Sequence, residues 1–73
     1  MTDRLIDARG MRCPWPVLRL ARAVRESASG DRITIVADDA IAPREIAAFA
    51  AERHLAISPI STEIGAGFKL AVP

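Results

Sequence analysis

The chain has 73 residues, a formal charge of +1 and an apolar share of 51%. One cysteine cannot form a disulfide within the chain, so a single small core must hold it, built mainly from Ile, Leu, Val and Ala. The weak net charge argues against an electrostatic nucleic-acid binder, and no apolar stretch approaches the length of a membrane span.

Charge is nevertheless uneven along the chain. Residues 1–25 carry six arginines against Asp3 and Asp7, a balance of +4, whereas residues 26–73 carry four basic and seven acidic groups, a balance of −3. The cysteine lies in the basic part, which suits an anionic sulfur species or an acidic partner as well as it suits plain solubility. Met1-Thr2-Asp3-Arg4 has no basic segment leading into a long apolar run, so a cytoplasmic location is expected, where a lone thiol stays reduced.

Arg4-Leu5-Ile6-Asp7-Ala8 reads as a first strand, followed by a turn at Gly10. From Pro14 to about Ser27, Val17, Leu20 or Ala21, Val24 and Ala28 recur at helical spacing, with Arg19, Arg22, Arg25 and Glu26 on the other side. Pro14 and Pro16 are tolerable only in a first turn, where backbone N–H groups lack intrahelical partners. They therefore mark the helix start. Ser29-Gly30-Asp31 is a stop signal, and the β-branched run Arg32-Ile33-Thr34-Ile35-Val36-Ala37 is a strand.

Asp38-Asp39-Ala40 turns the chain, and Pro43 opens a second helix with Ile46, Phe49 and Ala50 on one face. His54 falls at its end. Leu55 to Ile64 is a partly alternating strand in which Pro59 suggests a bulge or an edge position. Gly65-Ala66-Gly67 reads as a hairpin connection, and Phe68 to Val72 as the last strand, with Lys69 on its polar face. The order β-α-β-α-β-β predicts an α/β two-layer sandwich. Right-handed crossovers put both helices on one face of a four-stranded mixed sheet, closed by an antiparallel hairpin. Residues 1–73 are expected to form a single domain.

Candidate chemistry centres on Gly10-Met11-Arg12-Cys13-Pro14-Trp15-Pro16. One cysteine and one histidine, 41 positions apart, make no metal-ligand set. A Cys–His catalytic pair is disfavoured because His54 lies at the far end of the second helix from its start, where a surface cap is the simpler role. Asp38 and Asp39 read as a solvated turn closed by an Asx-type hydrogen bond rather than as general acids. Cys13, between an arginine and a proline at a turn-to-helix junction, reads instead as a reactive thiol. Helix N–H groups and neighbouring cations favour thiolate. Without a second cysteine the chain has no resolving thiol, which leaves a covalent carrier or a singly modified sensor. Trp15, in the first helical turn, serves either packing or partner contact.

This stretch, after Leu5-Ile6-Asp7-Ala8 and before an apolar helix, resembles the G-x-x-C-P-x-P signature of the TusA/SirA-type sulfur carrier proteins. The likeness extends to chain length, element order, the Asp38-Asp39 turn and the closing hairpin. It implies a sulfurtransferase that carries a persulfide on Cys13, with Gly10, Pro14 and Pro16 shaping the helix start and Arg12 supporting the thiolate. It implies no cofactor and no metal. A sulfur donor protein, either a cysteine desulfurase or a rhodanese-like protein, and a sulfur acceptor protein are the implied partners of a monomeric carrier. Arg9 and Trp15 depart from the best-known tRNA-thiolation carrier, which has an apolar and an acidic residue there, so these two are expected to bear on partner choice. The pathway is open among tRNA thiolation, cofactor biosynthesis, sulfur oxidation and selenium metabolism. Two other classes remain: a regulatory protein- or RNA-binding module, since the fold also resembles the C-terminal domain of a translation initiation factor, and a single-thiol redox sensor.

Overall fold

The computed structural model describes residues 2–73, whose elements run β1 (Asp3–Asp7), α1 (Trp15–Arg25), β2 (Arg32–Val36), α2 (Ala42–Arg53), β3 (Ala56–Thr62) and β4 (Gly65–Ala71). The strands form one mixed sheet in the order β1-β2-β4-β3, with β1 parallel to β2 and β4 antiparallel to both of its neighbours. Strand pleating sorts the side chains. Cross-strand neighbours Ile6 and Ile35, and Ile33 and Leu70, share the face that is buried. They form one core with Leu20 and Ala23 of α1 and with Ile46, Phe49 and Ala50 of α2. The other face carries Leu5, Thr34 and Lys69, none of them buried. Among the described residues no helix is long and apolar enough to cross a membrane.

One local expectation is corrected. The hairpin turn is Glu63-Ile64, because Thr62 pairs with Gly65; the Thr62 hydroxyl closes it by donating to the Gly65 carbonyl at 2.7 Å and accepting from the Ile64 N–H at 3.2 Å. Gly65 and Gly67 belong to β4. Gly65 leaves the turn at φ +138°, a backbone that favours glycine, whereas Gly67 serves close approach to the backbone of β2. Pro59 lies in β3, one of the two edge strands, in keeping with the expected edge position, and the lost N–H costs no ladder bond on the outer side.

Asp31, which reads in sequence only as part of a stop signal, is buried and ties two parts of the chain together. Its carboxylate accepts from the N–H groups of Thr2 and Ala28, both at 2.9 Å. These two bonds, that from Ala28 foremost, hold its pKa below the ordinary carboxylate value and outweigh the opposing effect of burial. A depressed folded-state pKa stabilises the fold above the unfolded value of about 3.9, and that contribution is lost as pH falls through the folded one. Urea midpoints measured from about pH 5 to pH 2 should therefore fall with acid in the wild type. In Asp31→Asn the fall is expected to be shallower, from a lower starting point, and equal slopes would contradict this.

Candidate functional site

The parallel pairing of β1 and β2 brings the loops that follow them to the same end of the sheet. The first loop holds Gly10 to Pro14, and the second holds Asp38 and Asp39. They are joined by two bonds: Asp38 Oδ1 accepts from the Gly10 N–H and Asp39 Oδ2 from the Cys13 N–H, each at 2.9 Å. The aspartates thus do not close an Asx turn of their own. They hold the cysteine loop from across a sequence gap of 28 and 26 residues. A hollow of about 420 Å³ between the loops is lined by Gly10, Met11, Arg12, Asp38, Asp39 and Ala40.

Cys13 is free and exposed. Its peptide bond to Pro14 is cis. Pro14 is the residue before the helix, which begins at Trp15, with Pro16 in its second position. The expected start therefore moves by one residue, and both prolines still bracket it. Trp15 donates its N–H to the Arg12 carbonyl at 2.9 Å, and Pro16 has none to give. The helix start accordingly offers an anion fewer donors than the expectation assumed. Gly10 turns the chain at φ +80°, with open space where a Cβ would stand.

Arg12 is exposed beside Cys13, whereas Arg9 is turned elsewhere. The Arg9 guanidinium grips Asp7 through Nε and Nη2, both at 2.9 Å, and reaches the Ile64 carbonyl at 3.4 Å. That grip, with the Arg9 backbone N–H, lowers the Asp7 pKa to about 2. The basic character of the N-terminal part is therefore partly matched within the loop itself, and the Asp38-Asp39 pair adds acidic groups from the other part of the chain. His54 is exposed at the C-terminal end of α2 with φ 58°, so it caps that helix and is not brought to Cys13. Among the described residues no three of His, Cys, Asp and Glu gather as a metal-ligand set.

Trp15, 60% exposed, is the largest of a set of uncovered apolar side chains that includes Leu18 and, at the start of α2, Ile41. Sequence reading missed Leu18 and Ile41. Leu18 sits three residues after Trp15, on the same side of α1 and off the buried stripe, and that offset was the available signal. Asp39 was also missed as a positioning group. Its signal was topological, since parallel strands present their following loops at one end.

This arrangement, one exposed thiol at a proline-bracketed helix start on a two-layer α/β sandwich, defines a compact single-cysteine protein. A family model described as sulfurtransferase TusA matches residues 4–72, and the chain belongs to that family. The fold is similar to that of a SirA-like protein from Desulfitobacterium hafniense, with a TM-score of 0.79 and 25% sequence identity over 92% of this chain and 93% of that one. Sulfur carriage or transfer is the general activity of the family.

Proposed function

We infer that residues 1–73 act as one carrier domain that accepts sulfane sulfur on Cys13 and relays it to another protein. The observation that carries this reading is the exposed, free Cys13 on a loop held by Asp39, in a chain of the sulfurtransferase family. The Cys13 thiolate attacks the outer sulfur of a donor persulfide. The S–S bond of the donor breaks, a new S–S bond forms to Cys13 Sγ, and the inner sulfur of the donor leaves as thiolate. An acceptor thiolate then attacks the outer sulfur of the Cys13 persulfide, and Cys13 leaves in turn as thiolate. No net oxidation occurs, so one cysteine suffices and no cofactor is required.

Arg12 supports the anionic forms, while Gly10, Pro14 and Pro16 set the loop and the helix start. Trp15, with Leu18 and Ile41, supplies apolar area for docking of the donor and acceptor, which fits the preference of interfaces for exposed aromatic anchors. Arg9, tied to Asp7, contributes to partner choice chiefly through the shape of the loop. The carrier works as a monomer in the cytoplasm, between a cysteine desulfurase or rhodanese-like donor and an acceptor protein.

Incubation with a cysteine desulfurase and cysteine, followed by intact mass measurement, tests the reading. An adduct of one sulfur atom is expected on the wild type, removable by a thiol reductant and absent from Cys13→Ser. A wild type that gains no sulfur from this donor or from a rhodanese-like one would sink it. Oxidation of Cys13 by low peroxide without any sulfur transfer would favour a redox sensor.

A further inference from the structure

A groove of about 620 Å³ runs between the outer edge of β1 and the exposed side of α1, lined by Arg4, Leu5, Arg19, Arg22, Ala23 and Glu26. No residue of the Gly10–Pro16 loop lines it. Its strand side is an open sheet edge. The Arg32 N–H donates to the Thr2 carbonyl and the Ala8 N–H to the Val36 carbonyl, so the even-numbered residues of this segment turn their peptide groups towards β2. Asp3, Leu5 and Asp7 consequently turn theirs outward. The Asp7 carbonyl meets Arg19 Nη1 at 3.5 Å. Leu5, at the middle of the edge, is 60% exposed.

The helix side supplies charge. Three arginines face one carboxylate, so the lining carries +2. Glu26 is shared between Arg4 at 3.8 Å and Arg22 at 3.3 Å, and Arg4 Nη2 donates to the Glu26 carbonyl at 3.1 Å. Arg4 Nε is buried and has no hydrogen-bond partner among the described residues. The cationic groove is therefore under-matched by its own chain.

Three occupants can be compared. A second copy pairing antiparallel about Leu5 would set Asp3 against Asp7 and bring two positive grooves together, which disfavours it. Nucleic acid would answer the arginines but offers no ladder of alternating donors and acceptors to match the outward N–H and C=O groups, and no aromatic side chain lines the groove for stacking. An extended acidic peptide answers both the edge and the charge. The charged residues of β1 discourage indiscriminate edge pairing, and so sharpen this selection.

We propose that the outer edge of β1 and the arginines of α1 form a docking groove for an extended acidic segment of a partner protein, which adds as a strand beside β1 with its carboxylates against Arg19 and Arg22. The groove lies apart from Cys13, so the proposal stands whether or not that residue carries sulfur.

The test is a ¹⁵N NMR titration of the full chain with a short capped peptide alternating valine and glutamate. Shifts are expected at Asp3, Leu5, Asp7, Arg19 and Arg22, with slowed hydrogen exchange at the Leu5 N–H. Reversing both exposed arginines, Arg19→Glu with Arg22→Glu, should weaken binding by about tenfold. If that double change disturbs the spectrum of the free protein, Arg19→Gln, which loses only the long contact to Asp7, should weaken binding by about twofold. N-methylation of alternate peptide residues should abolish binding. The proposal is overturned if the glutamate peptide leaves these signals unmoved at millimolar concentration. Equal binding by the lysine counterpart, indifference to N-methylation, stronger protection by a uridine-rich RNA oligonucleotide, or self-association through β1 would also overturn it.

Discussion

Asp39→Ala is expected to slow sulfur acceptance by Cys13 by about tenfold or more while leaving the fold intact. The carboxylate is the partner of the Cys13 N–H at 2.9 Å, and with the Asp38 bond to Gly10 it fixes the loop against the start of α2. Loss of that bond lets the thiol stray from its approach line, and a displacement of about 1 Å in a reacting group can cost on the order of a hundredfold. Because the bonds lie in exposed loops, water replaces them and stability changes little. The rate of persulfide formation under single-turnover conditions, with circular dichroism as a check on folding, measures the effect. Asp39→Asn keeps an acceptor oxygen and removes the charge. Positioning predicts that Asn restores most of the rate. A variant faster than wild type would show that the carboxylate also opposes the anionic sulfur. An unchanged rate in Asp39→Ala would mean that the two prolines alone set the loop.

The largest stability effect is expected from Gly67→Ala. Gly67 lies in β4 between Val36 of β2 and Ile60 of β3. A Cβ there would run into the Ile35 carbonyl oxygen, and would stand 3.0 Å from the Ile35 carbonyl carbon and 3.1 Å from the Val36 Cα. All three are backbone atoms, so no side chain can rotate aside and the ladder itself must give. Overpacking of this kind costs about 2–3 kcal/mol, a large part of the roughly 5–15 kcal/mol available to a small domain. A fall in Tm on the order of 10 °C is the expected readout. Gly10→Ala serves as the contrast. Its Cβ would meet open space, so the left-handed backbone alone is penalised, by about 1 kcal/mol. Equal Tm values for the two variants would refute the close-approach account.

The same glycines show where local signals mislead. Gly65-Ala66-Gly67 has the composition of a turn, and only the pairing of β4 with β2 reveals that Gly67 answers to a neighbouring strand. Arg9 and Arg12 look equivalent in the sequence, yet Asp7 captures the first and leaves the second exposed. Trp15, ambiguous between packing and docking in the sequence, is uncovered together with Leu18 and Ile41. For Gly67 and Arg9 the deciding contact joins residues whose spacing along the chain carries no periodic signature.

What the sequence determines by itself is the order of elements, the buried stripes of Ile33, Ile35, Ile46 and Phe49, and the placing of one cysteine at a proline-marked helix start. These follow from hydrophobic periodicity and from backbone restrictions that act over a few residues. The tertiary structure alone decides that Asp38 and Asp39 hold the Cys13 loop and that the β1 edge opens beside the α1 arginines. Both depend on the crossover between β1 and β2, which sets the two loops side by side and leaves β1 at the margin of the sheet.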